Sequence, residues 1–564
     1  MALPKASVRF RNGGLGIVTS GAGKSSVKIG LSLLGEPGVI QVCSSSTVAK
    51  RLLKGGPGCD CTINHTRRSG GTVLFVPVPI SSAGSISAIT HQGTGAGVIT
   101  ASSGPDEQIL AKCVTGGTLG TAQFQFSVGG GAYGSTVTST ATSFPYRVPG
   151  TFTTLTFAAA TYRLNDVYTV STAGVVTVTS GGSATVTQVS SPVDAYQLQV
   201  TIMKDGARGT AEFNYSLDGG ENTSRTYATA ASFVVPETGI VLAFSDAAYV
   251  SGDTYIATTT PPAFTSSDAQ AAIEVALKSA YEFEGIHIVG TPASAAAALT
   301  LATMLSSELQ GAETEYLRYI WGVSECPTVE ADATVQSAFA NLVSSNGKLQ
   351  VCIGDADVSS SDTGLLMKRN AAWPYTTRLA STKYSTHPGF VDNGNGSLPG
   401  VQAIYSAYGG SPVADTFDGS RFVTLRTLQG FAGYYVTNGN TMDVPTSDFS
   451  EIQRVRVANR AAVIGQQYLT GKLNGDWRID PATGHLDQTD SLKLTGDLED
   501  QIKAAMTGTP GSAKDEISGV TVSLDPENNL LSDSTLSFAM SIVPKGYGKQ
   551  LDLVIGFVNP RLAA

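Results

Sequence analysis

A passage of this chain occurs twice, and the two copies constrain the fold more than any other feature. Residues 120–131 read GTAQFQFSVGGG, and residues 209–220 read GTAEFNYSLDGG. At an offset of 87, Phe157, Tyr162, Asp166 and Tyr168 align with Phe244, Tyr249, Asp253 and Tyr255. A repeat of this length is a whole folding unit, because each copy has enough strands to close its own small core. The copies hold no cluster of titratable groups, so we interpret them as additions to another scaffold.

The repeated region reads almost entirely as β structure. Apolar residues alternate at 122–128 and again at 211–217, which places one apolar face inward, and each run is followed by a glycine-containing turn. We therefore predict two consecutive small β-sandwiches, over 105–191 and 192–262.

The sequence on either side of the repeats alternates strands with helices. Strands are predicted at 39–42, 72–78, 286–289, 317–321 and 349–353, and helices at 46–53, 268–280, 294–309 and 334–343. This alternation indicates βαβ crossovers and a largely parallel sheet. Because 72–78 supplies one of the buried strands, the repeats are predicted to be inserted into one discontinuous α/β domain.

A long helix is predicted from Asp448 to Thr470, and it carries a basic stripe of Arg454, Arg456 and Arg460. The stripe has two interpretations: a solvated face, or a face that forms salt bridges with an acidic neighbouring subunit. A helix at 498–506 and strands at 520–524, 536–543 and 551–558 follow. The last strand is apolar and lies near the end of the chain, where it forms an edge that needs covering.

These patterns together predict a multidomain protein of the α+β and α/β classes. It has a discontinuous α/β core, two inserted and duplicated β-sandwich domains, and a C-terminal α+β domain. The predicted bounds are an N-terminal arm at 1–20, core parts at 21–104 and 263–446, sandwiches at 105–191 and 192–262, a C-terminal domain at 447–548 and a terminal strand or arm at 549–564.

Composition narrows the classes of function. Charged residues make up 14% of the chain, against about 25% in typical soluble domains. Such a surface suits a protein that is buried against identical neighbours, although a β-rich secreted protein has a similar one. A net charge of −9 gives no electrostatic footprint for nucleic acid. There is no apolar run of membrane-spanning length, no signal-peptide pattern and no disulfide framework, so we expect no direct membrane partner and assembly in a cytoplasm.

No motif predicts a catalytic, cofactor or metal site. The segment 21–26 resembles a phosphate-binding loop, but Val18 stands where its first glycine belongs, and the following residues read as a strand. Cys59 and Cys61 with His65 lack the second ligand pair of a structural zinc site, so we interpret the thiols as ordinary ones in a loop. His287 lies in a buried strand and is predicted to be a hydrogen-bonded core residue. We expect that the protein is not an enzyme and uses no cofactor.

Three stretches carry a resemblance to a known family. They are the strand, helix and glycine pattern of 37–42, 49–53, 56–57 and 70–78; the repeated G-T-A-x-F-x-[F/Y]-S-x-x-G-G with 252–255; and 434–442 with 447–449 and 454–458. Together they resemble the contractile tail sheath proteins of myovirus-type bacteriophages, in a divergent branch of that family.

The resemblance implies a mechanical function and a location in the tail of the virion. In that family, hexameric rings stack as a helix around a tail tube, and contraction drives the tube through the host envelope for genome ejection. Terminal arms donate strands to neighbouring subunits, a role implied here for Val8, Phe10, Leu551, Leu553, Ile555 and Phe557, with Arg454, Arg456 and Arg460 as interface charges. The implied partners are copies of this chain, the tail tube protein, and baseplate and tail terminator proteins, all assembled in the host cytoplasm.

Two alternatives remain beside the sheath. A surface- or carbohydrate-binding protein would act through the duplicated β-sandwiches, and exposed aromatic residues on the repeats would favour it. A nucleotide-hydrolysing enzyme would use the α/β core, and Val18 argues against it. A particle related to phage tails, such as a bacteriocin or an injection system, falls within the sheath interpretation.

Overall fold

The computed structural model describes residues 25–549, apart from 141–142, 175, 180–185, 329, 345–346, 406–415 and 526–529. The described residues form two compact units. The main unit contains 25–382 and 388–451, and the C-terminal unit contains 383–387 and 452–549. The predicted N-terminal arm and the predicted strand 551–558 lie outside the described residues.

A six-stranded sheet forms the centre of the main unit. Its strands, in spatial order, are Gln41–Cys43, Val73–Pro77, Ser26–Gly30, Gly285–Ile288, Trp321–Cys326 and Leu349–Ile353. All neighbouring strands are parallel except the first pair, which is antiparallel. The predicted discontinuous and largely parallel sheet is thus confirmed, since a strand from before the repeats pairs with strands from after them.

Helices cover both faces of this central sheet. They are Ser46–Leu53, Pro57–Ser69, Ser266–Lys278, Ala295–Thr314, Asp332–Phe339 and Ala372–Ser381. The third of them begins with a capping box, in which Thr265 and Asp268 satisfy each other's backbone N–H groups. The strand predicted at 317–321 is wrong by four residues, because Leu317 adopts a φ of 52° after the preceding helix and the strand begins only at Trp321.

Two small antiparallel sheets complete the scaffold that we call the α/β body. One has the strands Asp355–Ser359, Leu366–Asn370 and Val401–Tyr405, and the other pairs Leu425–Leu428 with Phe431–Val436. Short helical turns lie at Leu342–Ser344, Asp392–Gly394 and Thr416–Gly419.

The first β domain occupies residues 105–190 and consists of strands alone. They are Ile109–Thr115, Gly117–Thr118, Gln123–Val128, Val137–Thr138, Phe144–Arg147, Thr153–Phe157, Thr161–Tyr162, Val167–Val170, Val176–Thr179 and Val186–Ser190. They form sheets of five, three and two strands. The buried residues of the two larger sheets belong to one apolar cluster that contains no residue of the α/β body.

The second β domain repeats this set of sheets but takes some of its strands from elsewhere. Its own strands are Gln197–Lys204, Gly206–Ala207, Glu212–Ser216, Tyr227–Ala228, Phe233–Val235, Ile240–Phe244, Ala248–Tyr249 and Thr254–Thr260. Three further strands, Ser85–Ile86, Thr90–Gln92 and Ile99–Ser103, come from before the first β domain. The bounds predicted from the sequence place these three strands in the α/β core instead.

Strand pairing shows that the two β domains are nested. Ile99–Ser103 pairs with Ile240–Phe244 in the register in which Val186–Ser190 pairs with Thr153–Phe157, each segment displaced by 87 positions. The first β domain is therefore inserted into the second, which is itself inserted into the α/β body. That each copy closes as a sandwich stays a prediction.

The C-terminal unit packs helices on a two-stranded sheet. Its elements are the helices Ile452–Thr470, Gln488–Met506 and Leu530–Asp533 and the antiparallel strands Ile517–Leu524 and Phe538–Pro544. Leu494, Leu498 and Ile502 of the second helix, at helical spacing, are buried in its core. The first helix begins at Ile452 rather than at Asp448, because Glu451 still pairs as a bridge with Asn440.

Candidate functional site

A cavity of about 500 Å³ lies in the main unit where both β domains meet the α/β body. Residues from all three parts line it, and they include Lys54, Asp60, Asp106, Phe152, Asp194 and Arg369. The lining is mixed in charge, so the cavity offers no uniform potential to a charged ligand. Its main feature is an ion network on one wall.

Arg369 holds two parts of the chain together at this wall. Its Nη1 and Nη2 atoms each donate to a carboxylate oxygen of Asp194 at 2.7 Å, and Nη2 also donates to Asp60 Oδ2 at 2.9 Å. Asp194 lies at the start of the second β domain, whereas Asp60 lies on the Pro57–Ser69 helix of the body. Burial alone would lower the pKa of Arg369, but the two carboxylates outweigh it and raise that pKa, so the guanidinium remains charged.

A second polar network crosses the central sheet. Lys28 Nζ lies 3.0 Å from His287 Nδ1, and His287 Nε2 lies 3.1 Å from Glu325 Oε1. The Trp373 indole donates to the same carboxylate oxygen at 3.1 Å, and the Arg369 guanidinium carbon lies 4.4 Å from the Trp373 ring centre. The two networks therefore meet at Trp373.

Burial is the main cause of the pKa shifts in this second network. It lowers the pKa of Lys28 and of His287, and it raises the pKa of Glu325 to about 7. Lys28, His287 and Glu325 are all at most 1% exposed. These groups are enclosed within the main unit, and the prediction that His287 is a hydrogen-bonded core residue is confirmed.

The two cysteines of the Cys59-Asp60-Cys61 motif lie on a buried helix rather than in the predicted loop. The loop assignment was wrong because Pro57 follows Gly56 and starts a helix that continues to Ser69. Burial raises the pKa of Cys61 to about 11, so its thiol stays protonated. Across the described ranges, no three His, Cys, Asp or Glu side chains come close enough together to hold a metal ion.

The segment that resembles a phosphate-binding loop lies mostly outside the described residues. The strand Ser26–Gly30 follows it directly and occupies the middle of the central sheet. A phosphate-binding loop needs a helix at this point, so the described part agrees with the interpretation made from the sequence.

The three arginines of the predicted basic stripe have different surroundings within the C-terminal unit. Arg456 is 1% exposed and its guanidinium carbon lies 4.9 Å from the Tyr384 ring centre. Arg460 forms a 2.6 Å salt bridge with Glu516 and also stacks on Tyr384, whereas Arg454 is half-buried. Arg456 is thus the most buried of the three, and the interface role of Arg454, Arg456 and Arg460 stays a prediction.

The residues predicted to donate strands lie outside the described residues. They are Val8, Phe10, Leu551, Leu553, Ile555 and Phe557. The described part of the C-terminal unit has an edge strand. Phe538–Pro544 pairs with Ile517–Leu524 alone among the described strands, and Val543 on it is 57% exposed.

The Arg369 network was missed by the sequence analysis. In the sequence, Asp60 is conspicuous only as part of the cysteine motif, and nothing marks Arg369 or Asp194. A single arginine in a short strand gives no signal of burial, because its partners come from distant segments. The close spacing of Arg369 and Trp373, which allows the ring contact, is the only local hint.

Comparison with known proteins identifies the family. Residues 3–440 match the family model described as DUF2586, N-terminal domain. The chain belongs to this family. No curated protein matches it. No helix in the described part of the chain has both the length and the hydropathy needed to cross a membrane.

Several solved structures are similar to this chain. A sheath tail protein from Desulfitobacterium hafniense has 9% sequence identity and a TM-score of 0.41, over 96% of this chain and 100% of that one. A sheath tail protein from Listeria innocua has 10% identity and a TM-score of 0.38, over 93% and 96%. A contracted PVC sheath complex of an extracellular contractile injection system has 10% identity and a TM-score of 0.35, over 51% and 74%.

At identities of 9–10% and TM-scores of 0.35–0.41, these structures are too distant for any contact or residue role to be transferred to this chain.

Proposed function

We propose that this chain is the structural subunit of a contractile tail sheath. Copies of it assemble as stacked hexameric rings around a tail tube, between a baseplate and a tail terminator, and contraction drives the tube through the host envelope. The particle is a phage tail or a related injection system that is assembled in the host cytoplasm. The subunit performs no catalysis and needs no cofactor.

The two-stranded sheet of the C-terminal unit is the observation that carries this proposal. Two strands alone are only marginally stable, and three or more, or packing against a helix, are needed. The Gln488–Met506 helix covers one face, while Phe538–Pro544 has an open edge among the described strands. An open edge accepts a further strand through main-chain hydrogen bonds. Apolar strands from the chain ends, containing Val8 and Phe10 or Leu551 and Phe557, suit that edge in a neighbouring copy.

The location of the other resembling stretches supports the same proposal. Residues 37–78 contain two strands at one edge of the central sheet and the two helices that connect them. Residues 434–442 lie in the body shortly before the chain enters the C-terminal unit. These stretches therefore form part of the α/β body, into which the β domains are inserted.

The alternative of a carbohydrate-binding protein receives little support from the β domains. Their aromatic residues form packed clusters, such as Phe124 with Phe157 at 4.3 Å and Phe213 with Phe244 at 4.7 Å between ring centres. Aromatic rings that bind sugars must face solvent, and these rings are buried. The conserved spacing of aromatics in the two copies is explained by packing.

Negative-stain electron microscopy of the recombinant full-length protein tests the proposal. We expect hollow tubes with helical striations at high protein concentration. Removal of residues 549–564 should leave folded monomers that form no tubes, whereas removal of 561–564 alone should leave assembly intact. Circular dichroism and size-exclusion chromatography verify that the truncated protein is folded.

Two results would contradict the proposal at different levels. Long tubes formed by the protein without 549–564 would exclude strand donation by the C-terminal arm. Single particles that persist when purified tail tube protein is added as a template would exclude the sheath itself.

A further inference from the structure

The cavity between the two β domains and the body contains polar groups that its own walls leave without a partner. Tyr196 and Arg369 line it and are 8% and 7% exposed. Among the described residues, the Tyr196 hydroxyl makes no hydrogen bond, and neither does Arg369 Nε. An enclosed polar group without a hydrogen bond is costly, so two of them in one cavity indicate that something else binds there.

Both groups are donors, and they need an oxygen atom on the ligand. An arginine N–H can only donate a hydrogen bond. Burial and the neighbouring Asp194 carboxylate raise the pKa of Tyr196, so its hydroxyl stays protonated and donates as well. The carboxylates of Asp60 and Asp194 on the same wall would repel an anion. The matching acceptor is therefore an uncharged one, a hydroxyl or carbonyl oxygen.

Both signs of charge occur in the lining, but carboxylates are in excess. Six acidic side chains line the cavity, against three basic ones. Five of these nine residues pair with one another: Asp60 and Asp194 with Arg369, and Asp362 with Lys50. The other four decide the charge that a ligand meets.

Three of these four residues are carboxylates: Asp106, Glu107 and Glu237. None of the three forms a salt bridge within the described part of the chain. The fourth is Lys54, whose Nζ donates to the Gly150 carbonyl at 3.2 Å. Glu237 and Lys54 have φ angles of 61° and 62°, a conformation that costs free energy and is concentrated at binding sites. Three carboxylates against one lysine favour a ligand with a positive charge.

We propose that this cavity binds a small organic cation that carries hydroxyl or carbonyl oxygens, such as an amino alcohol or an amino sugar. Its ammonium group binds the carboxylates of Asp106 and Glu237, and one of its oxygens accepts from Tyr196 and Arg369. The cavity volume of about 500 Å³ lies within the range of small-molecule sites, about 300–1,000 Å³. Because both β domains and the body line the cavity, the bound molecule holds these three parts together.

Titration of the full-length protein with glucosamine tests this site. Glucose is the matched probe, because it has a hydroxyl in place of the amine, and putrescine is a cation without oxygen. Saturation-transfer NMR and thermal melts measure binding at protein concentrations too low for tubes, in a buffer that keeps the amines protonated. The variants are Y196F and E237Q. Their controls are Y133F and E221Q, at exposed positions of the β domains outside the cavity.

We expect glucosamine to bind with a millimolar Kd and to raise the melting temperature. Glucose should bind at least about tenfold more weakly, because it lacks the charge-assisted hydrogen bond. Y196F and E237Q should each weaken glucosamine binding by about threefold or more, and Y133F and E221Q should leave it unchanged.

Three results would overturn the proposal. They are no binding of glucosamine, equal binding of glucose or putrescine, and a Kd for glucosamine that Y196F or E237Q leaves unchanged. The inference does not rest on the sheath function, because the site lies within one chain and its titration needs no assembly. Failure here would thus leave the sheath proposal standing, and protein that forms no tubes can still be tested for this site.

Discussion

The two β domains share one set of strands but are integrated differently into the main unit. The first has its own apolar cluster, built around aromatic residues such as Phe124, Phe157 and Tyr168. The buried residues of the second, Leu198 and Phe213 among them, belong to the same cluster as the central sheet of the body. The two repeated sequences thus differ in how they pack against the body. The copy that connects directly to the body shares its core, whereas the copy inserted into the other has a core of its own.

The polar contacts with the body also hold the second domain more firmly than the first. The first domain docks through Arg147, whose guanidinium donates to the carbonyl groups of Ser32 and Leu33. The second domain contributes Asp194 to the Arg369 network, and its Asp218 accepts a hydrogen bond from the backbone N–H of Leu366 at 3.1 Å. A buried ion network thus holds the second domain to the body, whereas the arginine at the end of the strand Phe144–Arg147 joins the first domain to neutral carbonyl groups.

Deleting each domain in turn gives the largest expected difference. Removal of 105–190, with a short Gly-Ser joint, should leave a folded protein, because Gly104 and Val193 both hydrogen-bond to the same turn, at Gly239 and Thr238. Removal of 192–260 should give insoluble protein, since it exposes apolar residues of the body that share one buried cluster with the second β domain. Size-exclusion chromatography and thermal melts measure both results, with the melting temperature of the first deletion shifted by only about 2–4 °C. An insoluble first deletion would contradict the independence of that domain.

Substitution at Arg369 gives the next largest effect. Arg369→Met leaves Asp60 and Asp194 buried without their cation, and breaking a buried pair in this way costs about 3–5 kcal/mol. Glu107→Ala is the control, because Glu107 is exposed at the position of the first domain that aligns with Asp194. We expect its effect to stay within about 0.5 kcal/mol. Urea denaturation measures the free energy of unfolding of each variant.

A triple replacement sharpens this second prediction. Changing Arg369 to Met together with Asp60→Leu and Asp194→Leu removes all three charges, and we expect it to recover much of the lost stability. If Arg369→Met alone changed the free energy of unfolding by less than about 1 kcal/mol, the network would not be the contact that fixes the second domain.

The sequence predicts the α/β body well because its signals are local. The strand 349–353 and the helix 46–53 have the predicted bounds, since continuous apolar runs and a serine cap mark them. Burial of Lys28 in the central strand could not be predicted, because its partner His287 comes from a segment 259 positions away. Charged residues in strands are ordinarily exposed, and only the fold reveals the exception.

The nesting of the β domains was missed for a related reason. Residues 90–103 align with 177–190 at the same offset of 87, with Thr90, Gly95, Thr100 and Ser103 matching Thr177, Gly182, Thr187 and Ser190. In a chain with 63 glycines and many serines and threonines, such matches arise readily by chance. Sequence similarity also cannot tell which of two equivalent sheets a strand joins, because both offer the same register.

Acid should loosen the contact of residues 90–103 with Asp253 in the second β domain, which is the smallest of the expected effects. Burial raises the pKa of Asp253, but hydrogen bonds from Thr94, Gly95 and His91 outweigh it and hold that pKa below its ordinary value. A carboxylate with a depressed folded-state pKa stabilises the fold above its unfolded-state pKa of about 3.9, and this contribution is lost as the pH falls through the folded-state value. Residues 90–103 should therefore detach from the Asp253 carboxylate only below about pH 4.

Hydrogen exchange measured by mass spectrometry from about pH 6 to pH 3, corrected for intrinsic rates, checks this expectation. Protection of residues 94–103 should fall with acid, and Asp253→Asn should remove most of the pH dependence. Asp166→Asn, at the aligned position of the first β domain, should leave the exchange of 94–103 unchanged. A flat corrected profile in the unmodified protein would mean that the main-chain pairing to Ile240–Phe244, rather than the Asp253 carboxylate, holds the segment. The two domains would then differ only in how the chain connects their strands. Both contain the equivalent strand pairing in the same register.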